Sequence, residues 1–120
     1  MRIVKGIATV LILAVAAAFA FVLYEVRESR NQANAATSSY NAGSYAEAAD
    51  LYLRALRHAR LRKDRDQVRR QLAQCYIRIG EDPGLALKKQ CEWYEKALSY
   101  DPQCIDEPKL LRLIETYRGR

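Results

Sequence analysis

The chain has little of what catalysis and cofactor binding usually require. In 120 residues there is one histidine, His58, with three cysteines and five glycines. His58 lies in a charged stretch, and helical spacing places no nucleophile beside it. No glycine-rich phosphate loop and no helical His-Glu-x-x-His pair occurs. Cys75, Cys91 and Cys104 are too few and too widely spaced for a disulfide framework. They have neither metal-ligand nor redox spacing, and no Cys-x-x-Cys-His is present for haem attachment. Carboxylates are scattered and mostly adjoin basic residues. We therefore expect a protein that is not an enzyme and holds no cofactor or metal. Beyond residue 24 there is no strand alternation and no low-complexity segment, so the expected fold class is all-α.

Charge is missing altogether from residues 6–24, a run of 19 rich in Ile, Val, Leu, Ala and Phe. As a helix this run would be roughly 28 Å long, close to the ~30 Å hydrocarbon core of a bilayer. Arg2 and Lys5 flank it on one side, and Glu25, Arg27, Glu28 and Arg30 on the other. Tyr24 suits the lipid–water boundary. Ala18-Phe19-Ala20 also resembles a small-x-small signal cleavage site, with a mature start at Phe21. Of the two readings we expect an uncleaved anchor over residues 1–26, touching lipid through residues 6–24, and a helical domain over residues 27–120. The basic flank at the N-terminus leans toward a cytoplasmic N-terminus and a periplasmic domain.

Residues 25–120 hold 18 basic against all 14 acidic residues, a net of +4 with both signs mixed. Residues 44–60 read as a helix, with Ala48, Leu51, Tyr52, Ala55, Leu56 and Ala59 as its apolar stripe. Ser44 suits its N-cap and Glu47 the capping-box partner. Residues 66–79 follow, with Val68, Leu72, Cys75, Tyr76 and Ile79 on one face, ended by Gly80. A third helix spans 85–100, with Leu87, Cys91, Tyr94, Ala97 and Leu98 inward, and Asp101-Pro102 stops it. Pro108 opens a last helix whose stripe is Leu110, Leu113, Ile114 and Tyr117. Residues 25–42 contain neither proline nor glycine. The anchor therefore either runs through them or breaks near 29–34, before the turn signal Asn41-Ala42-Gly43.

The phrase Tyr-x-x-Ala-Leu occurs at Tyr52–Leu56 and again 42 residues later at Tyr94–Leu98. A repeat at this range signals stacked helical units. The pattern resembles the tetratricopeptide repeat (TPR), a pair of antiparallel helices with small residues where they touch. Ala36, Tyr40, Gly43, Tyr45, Ala48, Tyr52, Ala55 and Leu56 carry a first copy. Leu72-Ala73, Tyr76, Gly80, Tyr94, Ala97, Leu98 and Pro102 carry a second. Arg60 stands where the first copy would end on proline, so its second helix is expected to run on into residues 61–63. The second copy has about five extra residues around 81–86, and Gln90 in place of an alanine. The implied architecture is an N-terminal transmembrane helix followed by a short TPR-like α-solenoid, two helix pairs and a capping helix.

The resemblance implies a concave face formed by the first helix of each pair. That face would show Ala33, Thr37, Tyr40 and Asn41, then Arg70, Gln74, Ile77 and Arg78, suited to an extended acidic or amidated peptide. Thr37, Tyr40, Asn41, Arg70, Gln74 and Arg78 are the candidate partner-binding residues. Ala33 and Thr37 occupy two positions of the family's carboxylate clamp, so none is expected. Arg54, Arg57, Arg62, Lys63 and Arg65 form a candidate basic face, for anionic lipid, an acidic partner or plain solvent. No aromatic lies between Leu53 and Tyr76 to stack on bases, and no nucleic acid is expected. Cys75 and Cys91 fall on inward faces and would form either a disulfide or two buried thiols, by compartment. The expected function is that of an accessory or assembly subunit of a membrane complex, binding a partner protein. Alternatives are a cleaved periplasmic adaptor and a cytoplasm-facing receptor.

Overall fold

The computed structural model describes residues 2–118, so the outermost bounds of the two expected domains, Met1 and residues 119–120, lie outside the described residues. It is all-helical, with five helices in the order α1 Arg2–Asn41, α2 Tyr45–His58, α3 Arg62–Gly80, α4 Leu87–Tyr100 and α5 Pro108–Tyr117. The open question about residues 25–42 is resolved by one unbroken helix. With no glycine or proline to interrupt it, α1 carries its hydrogen-bond ladder from the apolar run straight into the folded part. Residues 26 and 27 are adjacent residues of that one helix, and Glu25 and Ser29 are already buried against α2.

The turn after α1 follows from Gly43, whose φ of 82° is left-handed. Gly43 N donates to Tyr40 O and Ser44 N to Ser39 O, the paired bonds of a glycine C-cap. Tyr40 and Tyr45 then meet in a T-shaped pair at 5.1 Å between centroids. Ser44 occupies the expected N-cap position of α2, but its side chain makes no capping bond. Its carbonyl alone receives Ala48 N.

The expected run-on of this helix into residues 61–63 does not occur. Ala59 turns extended at φ −70°, ψ 114°, and α2 ends at His58. The chain is redirected because His58 is held by Glu25 and the Ala59 carbonyl accepts from Arg65 Nη1. As a result α3 begins at Arg62, four residues before the expected Asp66. Separately, Leu85 N is taken up by the Asp82 carbonyl and Ala86 is extended, so α4 begins at Leu87 rather than Leu85. Leu87, expected inward, is 44% exposed because it starts the helix at its free end.

The helices pack as sequential neighbours, α1 on α2, α2 on α3, α3 on α4 and α4 on α5. Contacts Glu25–His58, Ser29–Ala55 and Thr37–Tyr52 make α1 and α2 antiparallel. Gly80–Tyr94 and Tyr76–Tyr100 do the same for α3 and α4. Arg30–Asp64 and Tyr40–Arg78 then place α1 and α3 side by side and parallel. The main core is rich in alanine: Ala36, Ala48, Ala49, Ala55, Ala73 and Ala97 surround Tyr52, Leu72 and Tyr76. Short side chains let the helix axes approach to the ~8–10 Å of close packing. Cys91, Ile105 and Ile114 form a second cluster under α5.

Up to Ala20, α1 packs on nothing. Its most apolar window has mean hydropathy 2.7 and no buried residue, so this helix is long and apolar enough to cross a membrane. Leu11, Leu13, Val15 and Phe19 are each 60% exposed or more.

Candidate functional site

Between the parallel helices α1 and α3 runs an uncovered groove. One part, of about 330 Å³, is lined by Ser29, Arg30, Ala33, Asn34, Thr37, Asp64, Gln67, Val68 and Gln71. The other, of about 270 Å³, is lined by Thr37, Tyr40, Asn41, Tyr52, Gln71 and Gln74. Thr37 and Gln71 belong to both, so the two parts are continuous.

Helical geometry explains the lining. Gln67, Gln71, Gln74 and Arg78 follow at spacings of four, three and four, one face of α3. Asn34, Thr37 and Asn41 do the same on α1. Thr37 Oγ1 donates to Ala33 O at 3.0 Å, which commits its single hydrogen, and it therefore accepts from the Tyr52 hydroxyl at 2.8 Å. Tyr52 is 2% exposed and supplies the groove's floor. Its phenol is held above the ordinary range, mainly by burial.

The two ends differ. At one, Arg78 Nε donates to the Tyr40 hydroxyl at 3.2 Å and Nη1 to Glu81 at 3.4 Å. At the other, Arg30 Nε lies 3.5 Å from Asp64 Oδ2, an ion pair. That carboxylate oxygen is buried and accepts no hydrogen bond. The groove thus offers carboxamides along its length and an arginine at each end, Arg78 on Tyr40 and Arg30 paired with the largely buried Asp64. Such a lining can pair with the backbone of an extended peptide, which presents alternating donors and acceptors.

Of the six candidate partner-binding residues, the structure brings Thr37, Tyr40, Asn41 and Gln74 together, with Arg78 at the rim. Arg70 is elsewhere. It lines a cleft of about 510 Å³ with Asp66, Arg69, Tyr100, Asp101, Pro102 and Gln103, on the α4 side of α3. One hundred degrees of helix per residue separates Arg70 from the Gln71 position. Sequence reasoning missed Gln67, Gln71, Asn34 and Asp64, although the regular amide spacing on α3 was there to be read.

The candidate basic face is exposed throughout: Arg54, Arg57, Arg62, Lys63 and Arg65. Cys75 and Cys91 carry free thiols and belong to different apolar clusters, so no disulfide joins them here. Burial pushes the Cys75 thiol up to about 12, and burial with the nearby Asp101 pushes Cys104 to about 11. Neither is a ready nucleophile at neutral pH. Among the described residues, no group of three or more His, Cys, Asp or Glu side chains comes together to hold a metal ion.

Compared with protein-family models, curated proteins and solved structures, the chain has no match.

Proposed function

We propose that the protein is a single-pass membrane protein whose small TPR-like domain binds an extended segment of a partner protein, as an accessory or assembly subunit of a membrane complex. The observation that carries this reading is the open α1–α3 groove. It is polar, uncovered and built on the same rigid helix that continues into the bare apolar segment. Leaving an apolar side chain in water rather than burying it forgoes roughly 1.5–3 kcal/mol, and many such side chains are bare on α1. Lipid removes that penalty. Anchoring also raises the domain's effective concentration near a membrane partner. Ala14, Ala16, Ala17, Ala18 and Ala20 allow a partner's transmembrane helix to approach closely.

The test is a mild-detergent pull-down of the full chain, compared with Gln71→Arg and Gln74→Arg, which fill the groove without touching the core. The expected result is a co-purifying membrane protein that the two variants lose. A wild-type chain that emerges alone and monodisperse would defeat the subunit reading.

The flank charges Arg2 and Lys5 support a cytoplasmic N-terminus with the domain on the periplasmic side. A specific observation favours a second, cytoplasm-facing reading: the exposed basic residues near the emerging end of the span, since the cytoplasmic leaflet carries the negative surface potential. Protease protection in sealed vesicles separates the two, by whether the segment from Arg54 to Arg70 is cut from outside.

A further inference from the structure

The turn between α2 and α3 has an unusual composition for a loop that returns to the base of an anchor. Residues 57–63 read Arg-His-Ala-Arg-Leu-Arg-Lys. Its height along α1 is fixed by three contacts. His58 Nδ1 lies 3.0 Å from Glu25 Oε2, and Arg60 Nε lies 3.9 Å from the same oxygen. The Arg60 guanidinium also sits 5.7 Å from the centre of the Phe21 ring. Phe21 belongs to the apolar run, one helical turn from its end at Tyr24. The turn is therefore held at the level where the run stops, among Phe21 and Tyr24, which are themselves 54% and 60% exposed.

The acids nearby are already engaged. Glu25 faces His58 and Arg60, Asp64 faces Arg30, and Glu28 accepts from Gln32. Arg57, Arg62 and Lys63 are left exposed, and Leu61 in the turn is 45% exposed and belongs to neither apolar cluster. An apolar residue flanked on both sides by cations suits a lipid interface, where the side chain enters the boundary and the cations meet phosphates.

We propose that the α2–α3 turn docks on anionic lipid headgroups of the leaflet from which α1 emerges, with Leu61 inserted and Arg57, Arg60, Arg62 and Lys63 around it. The inference rests on the membrane-anchored reading and is independent of any partner. Lipid is favoured over an acidic protein because the continuous α1 helix and the Glu25 contacts hold the turn within a Debye length of the surface at all times. Docking at this second point fixes the tilt and rotation of the domain, and with them the direction in which the α1–α3 groove opens.

The experiment uses spin labels on the full chain in vesicles of phosphatidylcholine with or without phosphatidylglycerol. Single labels are placed by Leu13→Cys, Leu61→Cys and Ser44→Cys in a Cys104→Ser background, Cys75 and Cys91 being buried. Collision with lipid-soluble oxygen and with a water-soluble nickel chelate gives the depth of each label. Positions 13 and 61 should both be shielded from nickel in anionic vesicles, while position 44, at the far end of α1, stays in water. Each of Arg57→Ala, Arg62→Ala and Lys63→Ala should lower the docked-to-lifted ratio about fivefold, the equivalent of about 1 kcal/mol per cation near an anionic surface. A lipid-facing label at 13 with a water-facing label at 61 in both vesicle types overturns the docking and leaves the anchor standing. Equal shielding at 61 with and without phosphatidylglycerol overturns the role of anionic headgroups. A water-facing label at 13 overturns the anchor and the docking with it.

Discussion

The two helix pairs share a phrase but not an environment. In the first, Tyr52 is 2% exposed, its hydroxyl is tied to Thr37, and α3 closes over it. In the second, Tyr94 is only half-buried, at the edge of the smaller cluster under α5. Ala55 and Ala97 are both fully buried, so each pair has the same close crossing at that point. The glycines differ as well. Gly43 is needed for its left-handed backbone, with open space around it. Gly80 is the last residue of α3, where a Cβ would lie 2.9 Å from Tyr94 Cε1 and 3.1 Å from Trp93 Cβ. Tyr52 lies where α1, α2 and α3 meet, whereas Tyr94 faces the short, lightly packed α5. The same residues therefore contribute unequal stability.

The widest gap should appear on truncating the tyrosines. Tyr52→Ala is expected to cost about 3–5 kcal/mol, the range for a fully buried aromatic, and Tyr94→Ala about 1–2 kcal/mol. Urea unfolding of the full chain in detergent micelles, followed by helical circular dichroism, measures both. Equal losses would mean the two pairs are equally enclosed.

The glycines come next. Gly43→Ala is expected to cost about 1–2 kcal/mol, since its backbone is left-handed and no helix propensity is gained. Gly80→Ala sets an overpacking cost of about 1–3 kcal/mol against a helix-propensity gain below about 1 kcal/mol, since Gly80 ends the helix. Adding Gly80→Ala to Tyr94→Ala should remove much of the clash, so the double variant should be more stable than additivity allows.

Removing single hydroxyls probes the pairs more finely. Tyr52→Phe strips the partner of Thr37 and should cost about 1 kcal/mol. Tyr94→Phe should stay within about 0.5 kcal/mol of wild type. The same unfolding series reads both.

At neutral pH the last effect vanishes, because it is a change of slope confined to alkaline pH. Burial raises Cys75 and Tyr76 in the fold to about 12, from ordinary values of 9.0 and 10.0. Their contribution is full below pH 9, where thiol and phenol are neutral in both states. It is lost as pH climbs toward 12, because the unfolded chain ionises first. Stability should therefore fall on the alkaline side, and Cys75→Ala should make that fall shallower. An unchanged alkaline slope in the variant would show that Cys75 is more accessible than its packing implies.

Much of the fold was legible in the chain. The Ala-rich stripes, Gly43, Pro108 and the 81–84 turn each act through local backbone chemistry, and local chemistry survives in sequence. The site was less legible. Thr37, Tyr40, Asn41 and Gln74 were found by carrying over a repeat pattern. Arg70 was misplaced because one residue of helix turns a side chain by about 100°, enough to move it to another cleft. The early start of α3 was hidden because it depends on Glu25 holding His58 across 33 residues of chain.

By itself the sequence determined that the protein is helical, that one segment is apolar and long enough to cross a bilayer, and that two alanine-bearing helix pairs follow. Periodicity and hydropathy are local properties, and they need no partner to be read. Only the tertiary structure decided that α1 is unbroken from the apolar segment to Asn41, which faces of α1 and α3 are left open, and that the basic turn sits at the root of the apolar segment. Those outcomes depend on contacts between residues far apart in sequence, where packing and ion pairs select among arrangements that local propensity leaves equal.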